Sequence, residues 1–159
     1  MPDLSPPPGW EPLPTFPWRA TTWSFVSDEP HGQRIRLRCY IREGDLLARV
    51  WFGPLAEGPP GHTHGGALAA VHDECMGSCA HHAGHLVVLA NMNVRYRAAT
   101  PLRTVLTLHA SMTTVAGRKV HAESRMVDDS GTIYSEGEGL FVALDARRFE
   151  TLAAKRTAT

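Results

Sequence analysis

The sequence predicts an α+β fold in which a mainly antiparallel sheet of about six strands wraps around one long buried helix. Residues 65–83 are apolar or small on nearly every side, which is typical of a helix enclosed by the rest of the fold. The segments on both sides of this helix alternate apolar and polar residues with a period of two. Short turn signals separate these segments, as expected for antiparallel strands.

The strand pattern can be followed along the chain. Apolar side chains alternate with three arginines in residues 33–41, and a Glu43-Gly44 turn leads to a second strand over 46–52. Four further strands are predicted at 88–96, 106–112, 120–126 and 133–144. One apolar helix wrapped by such a sheet is the hotdog architecture. Apolar residues left on the other sheet face predict oligomerisation.

The hotdog domain is expected to span residues 31–146, between an arm at 1–30 and a short helical tail at 147–159. Seven of the 12 prolines lie within the first 17 residues, and such a run excludes a helix. Aromatic residues are interleaved with these prolines: Trp10, Phe16, Trp18, Trp23 and Phe25. We expect residues 1–9 to be loose and the rest of the arm to lie over the domain. A proline motif for a protein partner is the alternative.

Composition excludes several classes of protein. The chain has 16 basic and 16 acidic residues, whereas nucleic-acid binders usually carry a basic excess. No run of about 20 apolar residues is present to span a membrane. The first nine residues lack the features of a secretory signal, and three cysteines are too few for a disulfide scaffold. We therefore expect a cytoplasmic protein that binds neither nucleic acid nor membranes.

Asp73 is the most informative single residue. Its neighbours one helical turn away are small or apolar: Ala69, Ala70, Met76 and Gly77. A carboxylate in such surroundings is costly unless it meets water, a partner or a ligand. It could be a structural cap or ion-pair partner, or a base or nucleophile in a partly desolvated cleft. Glu74 lies about 100° further round the helix, and the pattern alone does not distinguish the two acids.

The pair Gly65-Gly66 opens the predicted helix. Glycine lets backbone N–H groups come close to a ligand, and the helix dipole favours negative charge there. This arrangement suits a carbonyl oxygen that becomes an oxyanion. A tight turn that simply requires glycine is the alternative.

Histidines and cysteines are concentrated between residues 62 and 85. The set is His62, His64, His72, Cys75, Cys79, His81, His82 and His85. Cys75 and Cys79 could face one ion with His82 nearby, but the spacing matches neither Cys-x-x-Cys nor His-Glu-x-x-His. Cysteine is also common as a small buried residue. We therefore predict no metal site and no cysteine nucleophile.

The stretch Glu57–Gly66, which reads EGPPGHTHGG, is followed by Asp73 nine residues after His64. This pattern resembles the hotdog-fold acyl-CoA thioesterases, in particular the phenylacetate-pathway and mammalian mitochondrial branch. Three later segments resemble the same branch: 90–97 with Pro101-Leu102, 117–119 and 134–137. The resemblance covers about residues 50–145.

The resemblance implies a role for each matching residue. Asp73 would act on the thioester carbonyl as general base for water or as nucleophile. The amide of Gly65, with that of Gly66, would polarise the carbonyl, and His64 would shape the loop and contact the substrate. Coenzyme A would be part of the substrate, with no separate cofactor. Because the family's site lies between two subunits, the resemblance implies an obligatory dimer, or a tetramer of two dimers.

One position departs from the family pattern. Many relatives carry Ser or Thr sixteen residues after the catalytic Asp, where the hydroxyl helps to hold the attacking water, and here that residue is Leu89. Asn91 is expected on the same strand face, because it follows two residues later, and could take over this role.

Four basic residues are candidates for contacts with the phosphates of coenzyme A: Arg95, Arg97, Arg118 and Lys119. Two alternative functions stay open. One is a non-catalytic acyl- or CoA-binding protein in which Leu89 closes the water site. The other is a hotdog dehydratase, although its usual pairing of His with an acid is not found around His64.

Overall fold

The computed structural model describes residues 1–14, 16, 24–26 and 32–155. In these ranges the chain forms seven strands and two α-helices. The strands are β1 (Glu11–Pro12), β2 (Ile35–Arg42), β3 (Asp45–Phe52), β4 (Val87–Tyr96), β5 (Val105–Ala116), β6 (Lys119–Val127) and β7 (Ile133–Ala143). The helices are α1 (Gly65–His82) and α2 (Ala146–Ala154). The predicted α+β hotdog fold is confirmed, and the two-residue β1 is an addition to the six predicted strands.

All strands belong to one antiparallel sheet in the order β1-β2-β3-β5-β6-β7-β4. The helix α1 packs across one face of this sheet. Alternate residues of β3 face the helix and are completely buried: Leu46, Ala48, Val50 and Phe52. The opposite face is mixed, with apolar residues such as Trp51 and Leu140 beside the charged residues of β6 and β7.

Strand β4 contains a bulge that the alternating sequence pattern does not reveal. Leu89 pairs with Phe141 of β7, whereas Asn91 pairs with the next residue, Leu140. Two steps along β4 therefore match one step along β7, so Ala90 is the extra residue. Because directly opposed residues share a face, Leu89 lies on the α1 side and Asn91 on the opposite side. The expectation that they share a face is wrong.

The N-terminal arm is described in part. Trp18 and Trp23, expected to pack on the domain, lie outside the described residues. The first nine residues are not loose throughout, because Leu4 is 7% exposed and its carbonyl accepts a 2.8 Å hydrogen bond from the Tyr40 hydroxyl. Trp10 lies against the Tyr40 ring, with 5.9 Å between ring centroids. Strand β1 then pairs with the end of β2.

The two edges of the sheet therefore differ. On one side β1 covers part of β2, and on the other side β4 pairs only with β7 in the part of the chain that the structure describes. None of the helices in the described ranges is both long and apolar enough to cross a membrane.

Candidate active site

The first turn of α1 presents one free backbone donor. His64 is the N-cap residue, and its Nδ1 atom accepts a 2.9 Å hydrogen bond from the Gly66 amide. The backbone carbonyl of His64 accepts from the amide of Ala67 at 2.9 Å. The Gly65 amide has no acceptor among the described residues. Of the two predicted oxyanion donors, Gly65 is thus available in this structure, whereas Gly66 is engaged by the cap.

The loop before α1 is held to the body of the domain by backbone hydrogen bonds. The amide of His64 donates to the carbonyl of Ala56 at 2.8 Å, and that of Thr63 donates to Thr100 at 2.8 Å. These bonds leave His64 with φ −63° and ψ 134°, an extended conformation that aims the next amides outward at the helix start.

Asp73 lies on the side of α1 that faces the open edge of the sheet. His72 contacts Ser124 of β6 and Ser135 of β7. Asp73 follows about 100° round the helix, on the same side as Gly77, where an added Cβ would lie 3.5 Å from Phe141 of β7, the strand that pairs with β4. The side chain of Asp73 is half-buried, and it makes no hydrogen bond within the described ranges. Burial raises the pKa of the Asp73 carboxyl, and the negative charge of Glu74 raises it further. A carboxylate with a raised pKa is a stronger base.

The neighbouring acid has a different environment. Glu74 accepts a 3.1 Å hydrogen bond from the hydroxyl of Ser24, which belongs to the N-terminal arm. This contact gives Glu74 a structural partner about 100° round α1 from Asp73. The geometry therefore distinguishes the two acids that the sequence pattern could not.

Asp73 and Gly65 are too far apart within one chain to act on the same carbonyl group. Eight residues separate them on one helix, which corresponds to about 12 Å along its axis. The resemblance accounts for this distance by taking one of the two groups from a second chain.

A buried histidine precedes Asp73. His72 is fully buried, with Nδ1 2.7 Å from Ser124 Oγ and Nε2 2.7 Å from Ser135 Oγ. Burial lowers the pKa of His72 to about 4, so the ring is neutral near pH 7. Gly137 makes room for it, because a Cβ there would lie 2.9 Å from the ring nitrogen. The sequence pattern does not reveal this cluster, which ties α1 to β6 and β7.

The four basic candidates fall into two groups. Arg97 forms an ion pair with Glu136 at 2.7 Å, and Arg95 lies 3.6 Å from Glu138, both on the sheet face opposite α1. Arg118 and Lys119 lie at the β5–β6 turn, where Lys119 pairs with Val142. Glu136 and Val142 are six residues apart on β7, or about 20 Å. The four side chains therefore cannot hold one phosphate group together within a single chain.

The histidines and cysteines do not converge. Among the described residues, no three His, Cys, Asp or Glu side chains are arranged to hold a metal ion. Cys75 and Cys79 are buried, and the Cys79 thiol donates to the carbonyl of Ala110 at 3.6 Å. Burial raises the pKa of Cys79, which disfavours the reactive thiolate.

An apolar groove lies beside the start of α1. Its lining includes the exposed side chains of Phe25 and Leu55 together with Ile35, and it reaches His64 and Gly66. The groove lining therefore includes both sequence neighbours of Gly65.

Residues 60–135 match the family model described as the thioesterase superfamily. Acyl-coenzyme A thioesterase THEM4 from Bos taurus is 38% identical over 101 residues, which are 62% of this chain and 41% of the bovine protein. The solved thioesterase superfamily protein RHA08564 is 30% identical with a TM-score of 0.64, over 67% of this chain and 53% of that one. A Bacillus halodurans protein solved with CoA is 27% identical with a TM-score of 0.57, over 62% and 66% of the two chains.

The Gly65-Gly66 pair, the helix carrying Asp73 and strands β4, β5 and β6 fall within the matched region, whereas β1, β2, β3 and most of β7 lie outside it. Over this region the chain is similar to the thioesterase superfamily, and it has the hotdog fold. It spans about two fifths of the length of the bovine relative that it matches.

Proposed function

We propose that this protein is an acyl-CoA thioesterase that hydrolyses an acyl- or aroyl-CoA thioester to the free acid and coenzyme A. The observation that carries this proposal is the pairing of a free Gly65 amide at a helix start with a half-buried carboxyl on the same helix, Asp73. The relative named an acyl-CoA thioesterase and the CoA in a similar structure support it.

In the proposed reaction the thioester oxygen accepts a hydrogen bond from the Gly65 amide. Asp73 removes a proton from a water molecule, and the water oxygen attacks the carbonyl carbon. The carbonyl oxygen of the thioester gains negative charge in this step. When the carbon–sulfur bond breaks, the protonated Asp73 returns its proton to the departing thiolate of coenzyme A. Direct attack by the carboxylate, followed by hydrolysis of the anhydride, uses the same two groups.

We propose that two chains form the site, with Asp73 of one facing the Gly65 amide of the other. The 12 Å estimated between these groups within one chain supports this arrangement, as does the open β4 edge on the Asp73 side. A dimer is the smallest assembly with complete sites, and a tetramer would contain two such dimers. No cofactor is needed, and the cytoplasm is the proposed compartment.

The contacts with the two ends of the substrate are also proposals. The apolar groove at Phe25 and Leu55 suits the acyl or aroyl group, because its lining includes His64 and Gly66, the residues on either side of Gly65. Arg118 and Lys119 are the better candidates for the CoA phosphates. Neither has an acidic partner among the described residues, whereas Arg95 and Arg97 are already paired with glutamates.

The test is a panel of acyl- and aroyl-CoA thioesters with detection of the free thiol. We expect hydrolysis of at least one substrate above the rate of a matched Asp73→Asn preparation. Tight CoA binding without hydrolysis of any thioester would instead favour the non-catalytic binding protein, for which Leu89 is the supporting observation.

A further inference from the structure

The peptide unit between Gly65 and Gly66 is held at both of its polar ends by side chains. Its N–H donates to His64 Nδ1 at 2.9 Å, and its carbonyl oxygen accepts a 2.9 Å hydrogen bond from the Tyr96 hydroxyl. Since an amide donates to Nδ1, that atom carries a lone pair and the His64 proton is on Nε2. This peptide is therefore fixed, and the amide before it is left as the free donor.

Tyr96 reaches this position from the end of β4. It pairs with Ser135 of β7, so its side chain lies on the α1 face of the sheet. The phenol ring lies close to the helix start, because a Cβ added to Gly65 would be 3.4 Å from ring atoms. Ser135 also contacts His72, so the corner of β4 and β7 holds α1 at its first turn and again two turns later.

We propose that Tyr96 is a positioning residue that aims the Gly65 amide at the thioester oxygen. This inference rests on the proposed function for its catalytic consequence. The hydrogen bond from Tyr96 to the Gly65 carbonyl resists rotation of the first turn of α1. Such rotation would turn the Gly65 N–H away from the thioester oxygen. An oxyanion donor is effective only when it is oriented before the reaction.

The catalytic test is a double-mutant cycle. Gly65→Pro removes the proposed donor at the first helical position, where proline is favoured, and the extended backbone of His64 is compatible with a following proline. Gly65→Ala keeps the N–H and controls for added bulk. We expect Gly65→Pro to lower kcat about 10²-fold or more. The loss of one positioning hydrogen bond in Tyr96→Phe should lower kcat about 5- to 10-fold, with little change in KM.

If Tyr96 acts through the Gly65 amide, Tyr96→Phe should have almost no effect on kcat in the Gly65→Pro background. Equal effects in both backgrounds would overturn the proposal. Tyr134→Phe is the matched control, because it also removes a tyrosine hydroxyl, but one that donates to Asp128 at the β6–β7 turn. It should leave kcat unchanged.

A measurement without substrate separates this inference from the proposed function. In Tyr96→Phe, but not in Tyr134→Phe, the backbone ¹⁵N resonance of Gly66 should move, because this nitrogen shares a peptide with the Gly65 carbonyl. Amide hydrogen exchange at Gly66 should also become about 10-fold faster. Unchanged Gly66 signals would overturn the positioning role. Shifted signals in a protein that hydrolyses no thioester would refute only the proposed function.

Discussion

Two adjacent acids on α1 differ in what they contact, and this difference supports Asp73 as the proposed base. Asp73 is half-buried beside the open sheet edge, and its pKa is raised by burial and by the charge of Glu74. Glu74 accepts a hydrogen bond from Ser24. We therefore propose that Asp73 takes up the proton, whereas Glu74 contacts the arm.

We expect Asp73→Asn to lower thioester hydrolysis about 10²-fold or more, because it removes the basic group and keeps the side-chain size. Glu74→Gln is the matched control, since it removes the same charge one residue away and should change the rate little. It should also move the acid limb of the pH–rate profile to lower pH, because the charge that raises the pKa of Asp73 is gone. A normal rate for Asp73→Asn with an inactive Glu74→Gln would reverse the assignment.

Replacing Leu89 by threonine or by valine tests whether a hydroxyl at this position assists catalysis. The two side chains have nearly the same shape, but only threonine has a hydroxyl. Leu89 lies on the α1 side of β4 and is only partly buried, so either β-branched residue should fit the strand. We expect Leu89→Thr to have a kcat several-fold above that of Leu89→Val, with similar KM, because a hydroxyl that orients water acts in the transition state. Equal kcat values would mean that another group already holds the water.

At the scale of elements, α1 is joined to the sheet through polar contacts within an apolar interface. The neutral ring of His72 between Ser124 and Ser135 requires one hydroxyl to donate and the other to accept. A proton added to this ring would place a charge in the core, far from water. The cluster therefore makes the attachment of α1 sensitive to acid.

The free energy of unfolding should decrease on acidification because of His72. Its pKa is about 4 in the folded chain against an ordinary 6.5, so the unfolded chain takes up the proton first as the pH falls. Between about pH 6.5 and pH 4 the wild type should lose up to about 3 kcal/mol more than His72→Gln. Urea unfolding across this range measures the difference, with the exposed His82→Gln as control. Parallel curves for wild type and His72→Gln would contradict it.

Elements with a strong local pattern could be predicted from the sequence. The helix was expected at 65–83 and lies at 65–82, because its apolar composition and its glycine boundaries are local signals. The bulge at Ala90 has no such signal, since a period-two pattern continues through it, and so the faces of Leu89 and Asn91 were not predicted correctly. The contacts of His72 and Tyr96 join residues 31 to 63 positions apart, which pattern alone cannot pair.

At the scale of the whole molecule, we propose that the site is formed by two chains. The loop and the acid were both identified from the sequence, and their separation of about 12 Å along α1 supports a site completed by a second copy. The basic candidates are likewise divided between the two ends of β7. Association of copies is therefore part of the proposed chemistry.

Mixing two inactive variants tests the shared site. Asp73→Asn and Gly65→Pro chains, mixed and allowed to exchange subunits, should form hybrid dimers with one intact site and one doubly defective site. At statistical exchange, half of the dimers are hybrids, so about a quarter of the wild-type activity should return. Light scattering gives the oligomeric state of each sample. Unchanged inactivity after confirmed exchange would contradict a site built from two chains.

The short strand β1 has a consequence for how far such association can proceed. Glu11 and Pro12 pair with the end of β2, the proline offers no N–H to a further strand, and arginines alternate along β2 itself. Among the described residues β4 is thus the long edge strand without a covering strand, whereas β2 is partly covered by β1 and carries arginines. If copies pair through β4, this edge is occupied in both of them, and we expect strand-to-strand association to end at a dimer and not to continue as a filament.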